Sequence, residues 1–203
     1  MARITSLESL RALYKPPMER AVRKQLSALD RHCRRFIELS PFVVVSSTGA
    51  DGRGDVSPRG EGAGFVAVLD DVTIAIPDRP GNNRLDTLTN IIANPQVGLM
   101  FMIPGVNEVL RVNGSAELRD DPDLTARFVV QERAPKLVIL VHVTEAYLHC
   151  PKALMRSALW DSGRHVERSV LPSLSEMLRD QIAPGEAFEA PETALARYKT
   201  QLY

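Results

Sequence analysis

The alternation of hydrophobic and polar residues predicts a chain dominated by β-strands. From Leu110 to Leu118 every second side chain is small or apolar, which predicts one buried face and one face exposed to solvent or a partner. Turn residues such as Asp51-Gly52 and Pro104-Gly105 separate this strand and similar runs. The predicted strands are Phe42 to Thr48, Gly54 to Pro58, Gly64 to Leu69, Val72 to Ile76, Val97 to Ile103, Val109 to Leu118 and Lys136 to Tyr147.

The strand from Val97 to Ile103 does not alternate, because apolar residues occupy both of its faces. A strand that is apolar on both faces needs cover on both. The pattern therefore predicts a barrel core on one side of this strand and a dimer partner on the other.

Apolar residues spaced three or four apart predict helices around the strands. The predicted helices are Ser6 to Leu13, Glu19 to Glu38, a helix that begins near Leu85, Pro122 to Val130, Pro151 to Leu159, Ser173 to Ile182 and Glu192 to Leu202. The fold class is therefore mainly β with peripheral helices (α+β). We expect a single domain over residues 1–203, with an N-terminal helical arm over 1–40 and a C-terminal helical tail over 165–203.

Composition narrows the possible partners. The chain has 203 residues and 44% hydrophobic content, enough for one good core. Lys plus Arg and Asp plus Glu number 25 each, so no overall positive field favours nucleic acid or an acidic membrane. No signal-peptide core or bilayer-length apolar stretch is recognisable, and the two cysteines do not suggest a disulfide framework. We expect a cytoplasmic protein with no nucleic-acid or membrane partner.

The turn from Ile76 to Leu85 carries the strongest chemical signal. Prolines and a glycine end the preceding strand here, and Asn82 or Asn83 is a favoured N-cap for the helix that follows. Free backbone N–H groups at a helix start attract anions, and Arg79 and Arg84 add two cationic forks. These features predict a phosphate clamp; the alternative is that Asn82 only caps the helix and both arginines are solvated.

Other motifs give weaker signals. Gly60-Glu61-Gly62-Ala63-Gly64 lacks the glycine spacing and the following helix of a dinucleotide-binding fingerprint. The pairs His32-Cys33 and His149-Cys150 have no close second ligand, so no metal site is expected. No Gly-x-Ser-x-Gly elbow supports hydrolysis, and Ser57 is followed by proline.

Three segments together resemble one known family. Asp55-Val56-Ser57-Pro58-Arg59-Gly60, the turn from Ile76 to Leu85, and Asn94-Pro95-Gln96-Val97-Gly98-Leu99 occur in an order and spacing similar to those of pyridoxamine 5′-phosphate oxidase-like flavoproteins, which are built on the FMN-binding split β-barrel. The similarity is to an uncharacterised subgroup of that family and covers roughly residues 35 to 160.

The resemblance implies a homodimeric, FMN-dependent oxidoreductase that transfers hydride or electrons to or from an unknown small molecule. It implies two FMN sites at the subunit interface, with a cofactor phosphate held by basic residues from two strand ends and one helix start. By position, Ser57 and Arg59 match the phosphate or ribityl contacts, and Pro77 and Asp78 match the strand end whose backbone faces the flavin ring. Asn82, Asn83 and Arg84 match the polar-basic triplet that closes on the phosphate, and Arg79 is a further candidate in the same turn. The assignment of Gln96 is less specific.

A C-terminal element resembles the part of the family that reaches the flavin of the other subunit. It contains Lys152, Arg156 and Trp160. On one continuous helix Arg156 and Trp160 would share a face with Lys152 and address one ligand together. The alternatives are a solvated Lys152 and a Trp160 that only anchors the C-terminal segment by packing.

One departure from the family pattern and two alternatives keep the activity open. The Arg-x-His element of true pyridoxamine phosphate oxidases is not found, since Arg164 and His165 are adjacent, so vitamin B6 oxidation is not expected. The deazaflavin F420 is an alternative cofactor, because split-barrel relatives use either. A flavin- or haem-binding module without enzymatic activity is the alternative function, since one fold hosts several functions.

Overall fold

Seven antiparallel strands form one continuous sheet in a computed structural model of the chain, which describes residues 3–182, 185 and 189–203. The order across the sheet is β2-β1-β5-β6-β7-β4-β3. The strands are β1 Phe42–Thr48, β2 Gly54–Gly60, β3 Ala67–Val68, β4 Thr73–Pro77, β5 Gln96–Met102, β6 Val109–Arg119 and β7 Val138–His149. The predicted class, mainly β with peripheral helices, is confirmed.

Helices surround this sheet within the described residues. They are α1 Leu7–Arg11, α2 Glu19–Arg23, α3 Arg31–Leu39, α4 Asp86–Ala93, α5 Pro122–Thr125, α6 Lys152–Ser157, α7 Leu174–Ile182 and α8 Pro191–Thr200, with 3-10 turns at Ala126–Phe128, Ser162–Arg164 and Arg168–Val170. Of the helices described, none has the length and apolar character required to cross a membrane.

The core lies on the inward faces of the long strands. Burial alternates along β1, so that Val43 and Val45 are fully buried while their neighbours are partly exposed. Burial also alternates along β5, although its sequence is apolar on both faces: Leu99 and Phe101 are buried, and Met100 is exposed. The outward face of β5 thus has apolar side chains that the single chain leaves partly open, and the predicted dimer partner on this side stays a prediction.

The predicted helix from Glu19 to Glu38 is wrong, because the chain forms two helices with an extended segment between them. In that segment Leu26 exchanges backbone hydrogen bonds of 2.9 and 2.8 Å with Ala146 of β7. Asp30 then caps α3 by accepting hydrogen bonds from the backbone N–H groups of His32 and Cys33. Pairing with the sheet therefore replaces helical hydrogen bonds that the hydrophobic spacing alone suggested.

Three further predicted elements are shorter in the structure. The strand predicted from Gly64 to Leu69 is reduced to β3, and the helix predicted from Pro122 to Val130 changes to a 3-10 turn after α5. The helix predicted from Pro151 to Leu159 ends at Ser157, because Ala158 adopts a left-handed conformation with φ of 49°.

Candidate functional site

Two ion pairs connect the end of β2 to the end of β4. Arg59 Nη1 lies 2.5 Å from Asp78 Oδ1. Arg79 donates from Nε and Nη2 to the two carboxylate oxygens of Glu61, at 2.7 and 3.0 Å. Because β2 and β4 are the first and sixth strands of the sheet, these contacts require the sheet to curve strongly and bring distant strands together.

These four side chains lie largely away from solvent. Arg59 and Asp78 are 18% and 16% exposed, and Arg79 and Glu61 are 16% and 7% exposed. Two cations and two carboxylates make the group formally neutral. However, Arg59 Nε is buried and has no hydrogen-bond partner among the described residues, so this guanidinium retains an unused donor.

Arg79 differs from Arg59 in how many of its donors are occupied. Both Nε and Nη2 donate to Glu61, and the ring of Tyr203 lies 5.6 Å from the Arg79 guanidinium carbon. The backbone oxygen of Tyr203 in turn accepts a hydrogen bond of 2.5 Å from Arg133. A phosphate ligand at Arg79 would therefore compete with an existing bidentate carboxylate.

The turn before α4 has an unusual backbone. Asn83 and Leu85 have φ values of 58° and 60°, a left-handed conformation that non-glycine residues seldom adopt and that is often found at functional sites. Asn82 accepts a hydrogen bond of 3.0 Å from the backbone N–H of Arg84. The predicted N-cap at Asn82 or Asn83 is wrong: Leu85 is the N-cap residue and makes no side-chain capping bond, since Asn82 stabilises the turn instead.

Arg84 is the most accessible arginine of the predicted clamp. Its side chain is 73% exposed, and its Nε lies 2.8 Å from Asp86 Oδ2. The hydrogen bond and the charge of Asp86 raise the pKa of Arg84, so the guanidinium stays fully protonated. An exposed pair of this kind contributes little stability and exchanges readily for another anion.

Ser57 lies on the same half-buried face of β2 as Arg59 and Asp55. Asp55 accepts a hydrogen bond of 3.2 Å from Thr87, which connects β2 to α4. β2 therefore contacts the turn and the helix that follows it at two points: Asp55 bonds to Thr87 of α4, and Arg59 pairs with Asp78 at the start of the turn.

The C-terminal candidates are arranged differently from the prediction. Lys152 and Arg156 are exposed on α6, but Trp160 lies beyond the end of that helix. Its indole Nε1 donates a hydrogen bond of 2.8 Å to the backbone oxygen of Val106, between β5 and β6. The predicted common helical face of Arg156 and Trp160 is wrong, because the left-handed Ala158 ends the helix between them.

Two relevant residues were missed by sequence analysis. Glu61 was treated only as part of a glycine-rich turn, although it occupies the fork of Arg79; Tyr203 was not considered. A signal for Glu61 was present in the sequence. The charges of Arg59 and Glu61 are opposite to those of Asp78 and Arg79, so the two segments can form two ion pairs when the strand ends meet. Among the described residues, no group of three or more His, Cys, Asp or Glu side chains can hold a metal ion.

Several solved structures are similar to part of this chain. A variant of HupZ from Group A Streptococcus is 17% identical, with a TM-score of 0.50 over 60% of this chain and 99% of that chain. A putative pyridoxamine 5′-phosphate oxidase from Lactobacillus delbrueckii is 20% identical, with a TM-score of 0.48 over 61% and 98%. An F420 reductase is 21% identical, with a TM-score of 0.42 over 56% and 94%. No curated protein matches the chain.

The sequence itself matches a known family over more than half of its length. The family described as pyridoxamine 5′-phosphate oxidase matches residues 29–150, a range that begins just before α3 and ends just after β7. This range contains all seven strands, both ion pairs and the turn before α4. The chain therefore belongs to the pyridoxamine 5′-phosphate oxidase family and has the flavin-binding split-barrel α+β fold of that family.

Proposed function

We propose that this protein is an FMN-dependent oxidoreductase that exchanges hydride or electrons with a small molecule. The observation that carries the proposal is the convergence of β2 with the turn before α4, the two segments whose basic residues the FMN hypothesis requires to act together. Arg59 and Asp78 join them directly. FMN itself would supply the redox chemistry, and the protein would bind and orient it.

The residues at this convergence fit a phosphate to different degrees. Arg84 fits best, because its ionic partner within the described residues is the exposed Asp86. Arg59 fits through its unused Nε donor, provided that the side chain moves enough to expose it. Arg79 fits least, because Glu61 already occupies its fork. We propose Arg84 and Arg59 as the main phosphate ligands, with Arg79 contributing if the Glu61 pair opens.

Other groups at the turn would complete the cofactor site. We propose that Ser57 contacts the phosphate or ribityl chain and that Asn82 and Asn83 line the phosphate turn. The backbone at Pro77 and Asp78 would face the edge of the flavin ring. Left-handed Asn83 and Leu85 hold this turn in an arrangement that a regular helix start does not provide.

The second half of the site would come from a second copy of the chain. We propose a homodimer in which Lys152, Arg156 and Trp160 approach the flavin of the other subunit. This arrangement requires these side chains to be accessible to a partner, and Lys152 and Arg156 are exposed. Met100, on the outer face of β5, is also exposed. The cytoplasmic location and the small-molecule partner also stay predictions.

Cofactor affinity in an Arg84 variant tests this proposal. A charge-assisted hydrogen bond to phosphate contributes about 1.5–3 kcal/mol, so Arg84→Ala is expected to weaken FMN binding by about ten- to one-hundred-fold. Flavin fluorescence during titration measures this affinity. Arg119→Ala is the control, because Arg119 is also an arginine that pairs with exposed carboxylates, and it lies at the end of β6. Equal FMN affinity in wild type and Arg84→Ala would refute the assignment.

The same preparation separates the alternatives. The enzymatic function predicts that bound FMN is reduced by NADH or NADPH and reoxidised by an acceptor. Bound flavin that no nicotinamide donor reduces favours a binding module. A chain that binds no FMN but binds F420 or haem favours those ligands, which are distinguished by mass and absorbance after release.

A further inference from the structure

The α8 segment, residues 189–203, contacts the turn before α4. The guanidinium carbon of Arg79 lies over the ring of Tyr203, 5.6 Å from its centre. At this distance the ring attracts the positive charge. Tyr203 lies three residues beyond the end of α8 and is half-buried. The α8 segment therefore touches a residue of the proposed flavin site directly.

A charged hydrogen bond holds Tyr203 at a second point. Arg133 Nη1 donates to the backbone oxygen of Tyr203 at 2.5 Å. Arg133 closes a tight turn in which it exchanges backbone hydrogen bonds of 3.1 and 3.0 Å with Val130. The two residues between them, Gln131 and Glu132, have φ values of 50° and 62°, the left-handed backbone that a two-residue turn of this kind requires. The turn thus fixes the backbone of Arg133, and two separate arginines hold Tyr203.

The rest of the α8 segment is only lightly attached. Ala194 is buried, but the larger side chains of Leu195 and Leu202 are exposed. The ion pair between Arg197 and Glu189, at 2.8 Å, joins two residues of the segment and does not attach it to the sheet. Segments with few buried apolar contacts open locally at a small free-energy cost, without unfolding of the core. The α8 segment can therefore leave the turn while the sheet stays intact.

Two contacts keep Arg79 in its present arrangement. Glu61 accepts hydrogen bonds from Nε and Nη2 of Arg79, and the Tyr203 ring packs against the guanidinium. As a result, the Arg79 side chain is only 16% exposed. A phosphate that uses the same two donors has to replace Glu61, and the guanidinium has to turn away from both partners. Arg79 thus has two alternative arrangements: bound by Glu61 and Tyr203, or turned toward a phosphate.

We propose that the α8 segment is an autoinhibitory element of the proposed flavin site. Docked through Tyr203, it keeps Arg79 paired with Glu61; once released, it frees Arg79 for the cofactor phosphate. The inference rests on the proposed function, since only the FMN site gives Arg79 a phosphate to bind. Because the segment and the phosphate compete for one guanidinium, each weakens the binding of the other by the same factor.

FMN affinity in Tyr203 variants is the first test. Tyr203→Ala removes the ring from Arg79 and is expected to tighten FMN binding by about two- to five-fold, the factor that corresponds to one exposed cation–π contact. Tyr203→Phe keeps the ring and should retain the wild-type affinity. Tyr198→Ala is the matched control, because the ring of this second tyrosine of the segment lies beside Arg197. Flavin fluorescence during titration of the full chain measures all four affinities.

Arg133→Gln tests the second contact. It removes the charged hydrogen bond to Tyr203 and leaves the ring in place, and it is expected to tighten FMN binding as Tyr203→Ala does. Loss of a positive charge by itself would weaken the binding of a phosphate, so tighter binding identifies release of the segment. Because both contacts hold one segment, the double variant should gain less than the product of the two single effects.

Hydrogen exchange of the α8 segment tests its release without reference to affinity. The backbone amides of residues 189–203 are followed by mass spectrometry in the full chain. Tyr203→Ala and Arg133→Gln should speed their exchange in the absence of FMN, whereas Tyr203→Phe should not. Saturating FMN should speed the exchange of these amides in the wild type, because the bound phosphate displaces the segment. A segment that closes over bound FMN would show the opposite change, slower exchange.

These measurements separate the inference from the proposed function. The inference is overturned if Tyr203→Ala binds FMN with equal or weaker affinity than the wild type, or if FMN fails to speed exchange of the α8 segment; FMN binding would still support the flavin site. Binding of FMN only in Tyr203→Ala and Arg133→Gln would support both. Absence of FMN binding in the wild type and in every variant would refute the proposed function, and the inference would fall with it.

Discussion

Glu61 and Arg79 form a two-point ion pair that joins the chain just after β2 to the chain just after β4. Their donor–acceptor distances are 2.7 and 3.0 Å, and the Glu61 side chain is only 7% exposed. Together with the Arg59–Asp78 pair, this contact holds distant strands of the sheet close to each other. The same contact occupies the Arg79 fork, so the proposed binding of a phosphate by Arg79 would compete with this ion pair.

Removing Arg79 is expected to destabilise the fold. Arg79→Ala leaves the Glu61 carboxylate buried without its partner, and breaking a buried ion pair in this way costs about 3–5 kcal/mol. Urea denaturation should show a lower transition midpoint with an unchanged slope. The control is Arg23→Ala, because Arg23 and Glu19 form an exposed pair at 3.3 Å and such pairs contribute about 0.5 kcal/mol or less. Equal stability losses in the two variants would contradict this role of the Glu61–Arg79 pair.

The strands could largely be predicted from the sequence, because burial on one face imposes a period of two. β1 has the predicted bounds, and Val43 and Val45 occupy the core as the alternation requires. The helices were less predictable. Leu26 fits an amphipathic helix by spacing, but the free edge of β7 at Ala146 offers it backbone hydrogen bonds that local periodicity does not reveal.

The candidate site was predictable in its segments and not in its pairings. The sequence shows that Arg59, Arg79 and Arg84 lie in or next to two turns that follow strands. It does not specify which carboxylate each arginine contacts. Arg79 meets Glu61 across 18 positions only because the two strand ends converge in the folded sheet. The start of α4 also differs from the prediction for a local reason. The Asn82 side chain accepts a hydrogen bond from the backbone N–H of Arg84 within the turn, so Leu85 becomes the N-cap residue.

Gly114 should tolerate no side chain. It lies at the irregular register between β6 and β7, and a Cβ added there would meet the backbone oxygen of His142 at 2.1 Å. Because backbone atoms cannot move aside by changing rotamer, Gly114→Ala is expected to cost about 3 kcal/mol, the upper part of the range for overpacking. Thermal and urea denaturation measure the loss. Gly54→Ala is the matched strand control, since nothing lies within 4 Å of its added Cβ; similar losses in both variants would disprove the steric explanation.

The two cysteines should differ strongly in reactivity. Cys33 is buried and Cys150 is exposed. Burial, together with the hydrogen bond and charge of Asp30, raises the pKa of Cys33 from 9.0 to about 11. A thiol reagent at mildly alkaline pH is therefore expected to label Cys150 and to leave Cys33 unmodified in the folded protein, whereas both react in urea. Comparable labelling rates for the two thiols in the native state would contradict the burial of Cys33.

The raised pKa of Cys33 also makes stability depend on pH in a defined direction. The pKa in the folded protein lies above the ordinary value of 9.0, so the neutral thiol contributes stability that is fully present below pH 9.0 and is lost as pH rises toward about 11. Urea midpoints measured across this alkaline interval report the decline. Cys33→Ala removes the titrating group and should show a smaller decline over that interval, although its stability is lower throughout. An identical pH dependence in both proteins would exclude Cys33 as its source.

Trp160 should report directly on flavin binding, because it is the single tryptophan in the chain. Its indole is held by the hydrogen bond to Val106, so its position does not depend on a continuous helix from Arg156. If the proposed site is correct, added FMN should quench Trp160 emission with the same affinity that flavin fluorescence gives. Arg84→Ala should then shift both titration curves by the same factor, while Trp160→Phe removes the emission and keeps an aromatic ring in place. Quenching that fails to saturate, or that is unchanged in Arg84→Ala, would separate Trp160 from the flavin and assign it only to anchoring the C-terminal segment on the loop between β5 and β6.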